Sequence, residues 1–306
     1  MSDELPAAAR ARMAEIRASG TWGSALTSDE FAAIRSVGFE PVGQVFGAAV
    51  YTIGSVDGYI RGYQCPGAWR SSGGGTPGRP AGWVPRPGGF ESFRPVVQAM
   101  YQARHAAIDR MTTECAELGG HGVVGVRLSR GSFPLGGLQF RAIGTAIRAP
   151  GVAPGQRAPF TSDVSGQELA KLIMAGWVPA GLVLGISIGS RHDDLATTRQ
   201  TRWVSGNTEV AGWSELVSES RHDARVRLEG EVKRLGADGV VIATMWMRVN
   251  ERDCPASVGR RDHIVEATLI GTAITRFSST GQRPAGPVLG IMSLDPQRRQ
   301  AARIRI

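Results

Sequence analysis

The sequence predicts an α+β fold made of two copies of one small module, each an antiparallel sheet carrying one long helix. Three observations predict it. The chain matches itself in three blocks that keep the same order. Each copy contains one long run of apolar residues at helical spacing. Glycine-punctuated, β-branched stretches of strand length flank that run on both sides.

The blocks are found by sliding the sequence along itself. At an offset of 138 residues, GFEPVGQVFGAAV at Gly38–Val50 falls on GWVPAGLVLGISI at Gly176–Ile188, so Gly38, Pro41, Gly43 and Gly47 meet Gly176, Pro179, Gly181 and Gly185. At 117, ARHAAIDRMTTECAELGGHGVV falls on SRHDARVRLEGEVKRLGADGVV, and Arg104, His105, Leu118, Gly119 and Gly122 meet Arg221, His222, Leu235, Gly236 and Gly239. At 127, AIGTAIR meets LIGTAIT. The changing offset locates 21 extra residues in the first copy, in the Gly/Pro/Trp-rich stretch GYQCPGAWRSSGGGTPGRPAGW, and 10 in the second, around NERDCPASVGRRD.

Each module opens with a short helix capped by Thr27 or Ser28 in the first copy and Ser165 in the second. A strand follows, then the long helix. Its first-copy stripe is Val97, Met100, Tyr101, Arg104, Ile108, Met111, Cys115 and Leu118; the second-copy stripe is Trp213, Val217, Arg221, Ala224, Leu228, Val232 and Leu235. Gly119 and Gly236 end these helices, where a left-handed residue is cheapest for glycine. Two strands complete the order β-α-β-β: VVGVRL with LQFRAIGTAI, and VVIATMWM with IVEATLIGTAI. The expected organisation is an N-terminal segment (1–25), a first module (26–148), a Pro/Gly linker (149–160), a second module (161–276) and a basic tail (277–306). With 306 residues, 42% of them hydrophobic, each module is expected to bury its own core. Three strands and one helix still leave a sheet face and an edge uncovered, which predicts a homo-oligomer.

Composition narrows the function classes. No stretch approaches the roughly 20 apolar residues of a membrane helix. The first twenty residues open with acids and lack an apolar h-region, so no secretory signal is expected. Cys65, Cys115 and Cys254 are widely spread with no CxxC pair, which predicts neither a disulfide framework nor a zinc ribbon and fits a cytoplasmic protein. All but two of the 35 basic residues are arginine, and five of them (Arg283, Arg298, Arg299, Arg303, Arg305) lie after Phe277. Net charge of +8 is the sole argument for nucleic acid, and no recognition motif accompanies it.

The blocks GxxPVGxVxGxxV, ARxxAxxRMxxECxxLGxxGVVGVRL and AIGTAI resemble the YbjQ family, which carries a heavy-metal-binding label. The resemblance covers about 26–148 and 161–276. It implies a dodecin-like fold and ring oligomers, and it supplies no ligand motif, so cofactors stay open.

Candidate chemistry is sparse. There is no GxSxG elbow, HExxH helix or P-loop, and SSGGGTPG lacks the Lys-Ser/Thr ending of a phosphate loop. Trp69 and Trp83 of the insert are read as residues pinning a long loop. Cys115 and His121 are the metal candidates, although the second copy has Val232 and Asp238 at those places. Arg104 and Arg221 fall on both apolar stripes, which predicts buried ion pairs, with Glu30 and Glu168 as partners. Arg104, His105, Arg221 and His222 are thereby the ligand-binding candidates. The leading reading is a non-enzymatic, self-assembling module that binds a small ligand or partner protein. An enzyme with an inter-module Arg/His site for an anionic substrate is the rival, and a heavy-metal-binding protein the third reading.

Overall fold

In the computed structural model the described residues are 5–20, 23–51, 93–134, 137–153, 158–201, 206–254 and 260–277. The Gly/Trp-rich insert with Cys65, Trp69 and Trp83, and the arginines of the tail, lie outside them.

Helix α1 (Ala7–Ser19) precedes α2 (Ser28–Ser36), strand β1 (Glu40–Tyr51), the long helix α3 (Arg94–Glu117), and strands β2 (Gly122–Phe133) and β3 (Gly137–Arg148). Then come the two-residue strand β4 (Phe160–Thr161), α4 (Gly166–Met174), β5 (Trp177–His192), α5 (Leu195–Gln200), the long helix α6 (Ala211–Arg234), β6 (Gly239–Asp253) and β7 (Arg261–Arg276). The fold is α+β, with two largely antiparallel sheets ordered β1-β3-β2-β4 and β5-β7-β6.

Local chemistry explains the boundaries. Thr27 and Ser165 each accept a hydrogen bond from the backbone N–H three residues on, while Glu30 and Glu168 reach back to the cap N–H. Those two acids are therefore committed to capping boxes and are not the ion partners expected for Arg104 and Arg221. After α3 and α6 the chain reverses at Gly119 (φ 71°) and Gly236 (φ 63°), as the sequence predicted.

The sheets share one register. Pro41 stands opposite Ile147 and Pro179 opposite Ile274, and each is followed by an irregularity before Gly43 or Gly181. Gly122 likewise faces Ile147 and Gly239 faces Ile274. The repeated GTAI block now has a role. Thr145 Oγ1 accepts from Ala25 N–H (3.2 Å), and Thr272 Oγ1 accepts from Asp163 N–H (3.0 Å), so each threonine ties the segment before a short helix to its sheet.

The second copy has an apolar cluster of its own around Val183, Ala224 and Leu228, but the first copy's core is not confined to that copy. The largest apolar cluster joins α3 and the first sheet to Ile186, Ile188 and Ile264 of the second sheet. Helix α3 thus lies between two sheets, because its own sheet covers only one side of it. The Tyr101 hydroxyl marks this contact: it donates to Leu184 C=O (3.3 Å) and accepts from Ile186 N–H (2.9 Å) on the β5 edge. No helix among the described residues is long and apolar enough to cross a membrane.

Candidate functional site

The sequence candidates divide. Arg104 is buried (5% exposed), whereas Arg221, its counterpart by offset, is exposed. The expectation of two equivalent buried arginines fails for Arg221, because among the described residues no second sheet lies on the outer side of α6 as one does on α3. Arg104 faces the Phe140 ring (5.8 Å to its centroid), and its Nη1 has no hydrogen-bond partner among the described residues. Burial lowers its pKa to about 10, against the attraction of Glu266 and with the repulsion of Arg130. Glu266 is itself buried and accepts from Arg130 Nη1 at 2.7 Å, while Arg130 stacks on Trp246 (5.3 Å). The Arg130–Glu266 ion pair therefore holds the polar part of the sheet–helix–sheet contact, with Arg104 buried outside ion-pair distance of it.

His105 is roughly half exposed, with Nε2 3.5 Å from Glu231, and His222 is exposed. These placements make an arginine–histidine pair of one kind in the first copy and a solvent-facing pair in the second.

Two acids escaped the sequence reading. Glu114 and Glu231 stand at the 117-residue offset on the buried side of α3 and α6. Glu114 accepts from Phe46 N–H (2.8 Å) and from Arg12 of α1; Glu231 accepts from Leu184 N–H (2.6 Å). Each thereby satisfies the strand where the ladder does not, and desolvation raises the pKa of Glu114. The available signal was an acid repeated on two apolar stripes.

The first metal candidates each have a main-chain partner. Cys115 is fully buried, its thiol donates to Gly122 C=O (3.4 Å), and desolvation pushes its pKa up to about 12. His121 accepts from Ala149 N–H at Nδ1 (3.0 Å).

Among the described residues a different trio has the donors for a cation: His192, Cys254 and Asp262, whose ligating atoms lie within 4.8 Å of one another. They come from the end of β5, the residue after β6 and the start of β7, where the insertion of the second copy begins. Asp262 is completely buried, 2.8 Å from His192 Nδ1 and 3.4 Å from Arg252. Behind it, Asp193 accepts from Trp213 Nε1 (3.0 Å) and stands 3.1 Å from His263 Nδ1. The three ligands are far apart in sequence and follow no spacing rule, so sequence alone did not join them.

A surface groove of about 530 Å³ lies beside α1, α2 and the start of β1. Two of its three arginines face acids, Arg17 pairing with Glu117 at 2.6 Å and Arg148 with Glu40 at 3.4 Å, while Arg35 lies over the Phe31 ring (5.9 Å).

Comparison with known proteins follows this geometry. Residues 90–150, which hold α3, β2 and β3, match the YbjQ family described as "Putative heavy-metal-binding". Over 285 residues the chain is 31% identical to a protein of Mycobacterium tuberculosis named encapsulin nanocompartment protein, covering 91% of this chain and 94% of that one. Over 81 residues it is also 31% identical to a UPF0145 protein of Halorubrum lacusprofundi, covering 26% of this chain and 70% of that one.

Proposed function

The chain belongs to the YbjQ family, and from that premise we propose that it is a self-assembling, non-enzymatic module whose working particle holds several chains. In this reading, residues 26–148 and 161–276 are two copies of a dodecin-like β-α-β-β unit joined by the linker 149–160. The assembled particle binds a small ligand or a partner protein. One observation carries it: β6 is an edge strand that presents Ile242, Met245, Met247 and Val249 to solvent. An open edge lined with large apolar side chains is what sheet proteins normally cover. A relative named for an encapsulin nanocompartment supports the same reading. Sedimentation or native mass spectrometry should report a discrete multiple of the 32.5 kDa chain at micromolar concentration. A clean monomer there overturns the proposal.

The trio His192, Cys254 and Asp262 favours a second reading, a heavy-metal-binding protein. Imidazole, thiolate and carboxylate together suit zinc or another thiophilic divalent ion, which would draw on them for structural cross-linking of three strand ends. Titration with cobalt(II) should give a thiolate charge-transfer band that Cys254→Ser removes and Cys115→Ser leaves intact. Absence of that band in the unmodified protein ends this reading.

A further inference from the structure

We propose that chains join head to tail through a second copy of the junction already present inside each chain. Residues 23–26 and the outer face of β1 of one chain would dock on the β6 edge and α6 of the next. The inference rests on the self-assembling reading above and names the partner: another copy of this chain.

Within the chain, residues 160–164 link the two modules. Phe160 N–H donates to His121 C=O (3.1 Å) and Ser162 N–H to Val123 C=O (2.9 Å). In return Gly125 N–H donates to Val164 C=O (3.0 Å) and Val126 N–H to Ser162 C=O (2.9 Å). This short parallel pairing closes the edge of β2. The same segment is tied to its own module through Thr272.

Both halves of that junction recur without their complement. At the 117-residue offset the receiving groups become those of Asp238, Val240, Ile242 and Ala243. Strand β6 pairs with β7 in the register in which β2 pairs with β3, so these groups point to the open edge. At the 138-residue offset the inserting residues become Trp22, Gly23, Ser24, Ala25 and Leu26. Ser24 and Ala25 are already tied to their own module through Thr145, as Ser162 and Asp163 are through Thr272. The main-chain groups of Ser24 that match those of Ser162 have no backbone partner among the described residues.

Packing repeats the pattern. Gly122 is bare because the Phe160 ring lies over it; a Cβ there would come within 2.2 Å of the ring. The matching Gly239 has nothing nearer than Ile274 at 3.7 Å, and the residue matching Phe160 in sequence is Trp22, another aromatic. Ile188 on β5 is 4% exposed against the first module, whereas Val50, its counterpart on β1, is 48% exposed. Arg221 is exposed where Arg104 is buried, so docking of a β1 face on α6 would restore their equivalence. One contact differs: Gly166 fits tightly against Glu30, and its counterpart is Ser28, so the junction between chains must open slightly there. An interface made of two unlike surfaces repeats from chain to chain and closes into a ring when its rotation allows.

Two experiments on the full chain test this, beside the oligomer measurement above. Cysteines placed at Gly23 and Val240 together should let a short bis-maleimide produce a ladder of covalent oligomers, which neither single substitution gives. Ile242→Glu puts a charge on the β6 edge at a site exposed enough to tolerate it in the monomer. It should weaken association about a hundredfold while leaving the circular-dichroism melt in place. Val226→Glu is the control: Val226 is exposed on α6, and its counterpart Asp109 is exposed outside the internal junction. It should leave the oligomer intact. If the unmodified protein is oligomeric but the ladder is missing, or Ile242→Glu assembles normally, head-to-tail docking is wrong while self-assembly stands. If the unmodified protein is a monomer, both fall.

Discussion

Gly47→Ala is expected to destabilise the protein by about 3 kcal/mol or more, while Gly230→Ala stabilises it by roughly 0.5–1 kcal/mol. At Gly47 on β1, an added Cβ would stand 1.9 Å from Ala107 C=O and 2.7 Å from Met111 N. Both are backbone atoms of α3, so no rotamer change relieves the contact. Either the helix lifts from the sheet or β1 twists out of register. Gly185 repeats the arrangement against Ala224 C=O at 2.1 Å, so Gly185→Ala should cost a similar amount. Gly230 lies on α6 with nothing near its Cβ, and there alanine only improves helix propensity. Thermal melts of the three variants read opposite signs. Equal melts for Gly47→Ala and the unmodified protein would mean that α3 does not approach β1 this closely.

That pair of glycines shows what the sequence made legible. The caps Thr27 and Ser165 and the helix stops Gly119 and Gly236 were legible because a hydroxyl at a cap and a left-handed residue at a stop are fixed by the residues within one turn. Gly47 and Gly185 were visible only as matched positions, since the helix backbone that requires them lies about 40–60 residues away. The shared core was not legible. Periodicity says that one side of α3 is apolar, and it is silent on whether the other side meets water or a second sheet. Arg104 and Arg221 were indistinguishable for that reason: the stripe is the same, and the difference lies in an element more than 60 residues away. Glu30 and Glu168 were assigned to the wrong partner because a capping box and a long-range ion pair use the same acid. Glu114 and Glu231 carried a usable signal, an acid repeated inside an apolar stripe. The trio His192, Cys254 and Asp262 carried none, since β5, β6 and β7 bring together ends that no spacing rule connects.

Glu266→Ala should cost about 3–5 kcal/mol, whereas Arg104→Met should change stability by about 1 kcal/mol or less. Glu266 is 2% exposed, pairs with Arg130 at 2.7 Å and attracts the buried Arg104 from beyond ion-pair distance. Removing it strands the Arg130 guanidinium in a largely buried contact and takes from Arg104 the one attraction that offsets its burial, so each then bears its desolvation cost alone. Arg104 behaves differently on removal. Its Nη1 already lacks a hydrogen bond among the described residues, and burial already lowers its pKa to about 10, so the folded state binds its proton less tightly than the unfolded chain does. Met keeps the apolar contact with Phe140 and deletes the charge. Arg130 then holds Glu266 by itself at 2.7 Å. The double substitution Glu266→Ala with Arg104→Met should recover part of the loss, because one of the two stranded cations is gone, and denaturant titration of the four proteins measures the coupling. Additive losses would mean that Arg104 does not feel Glu266, and the polar part of the sheet–helix–sheet contact would then rest on the Arg130–Glu266 pair and Tyr101.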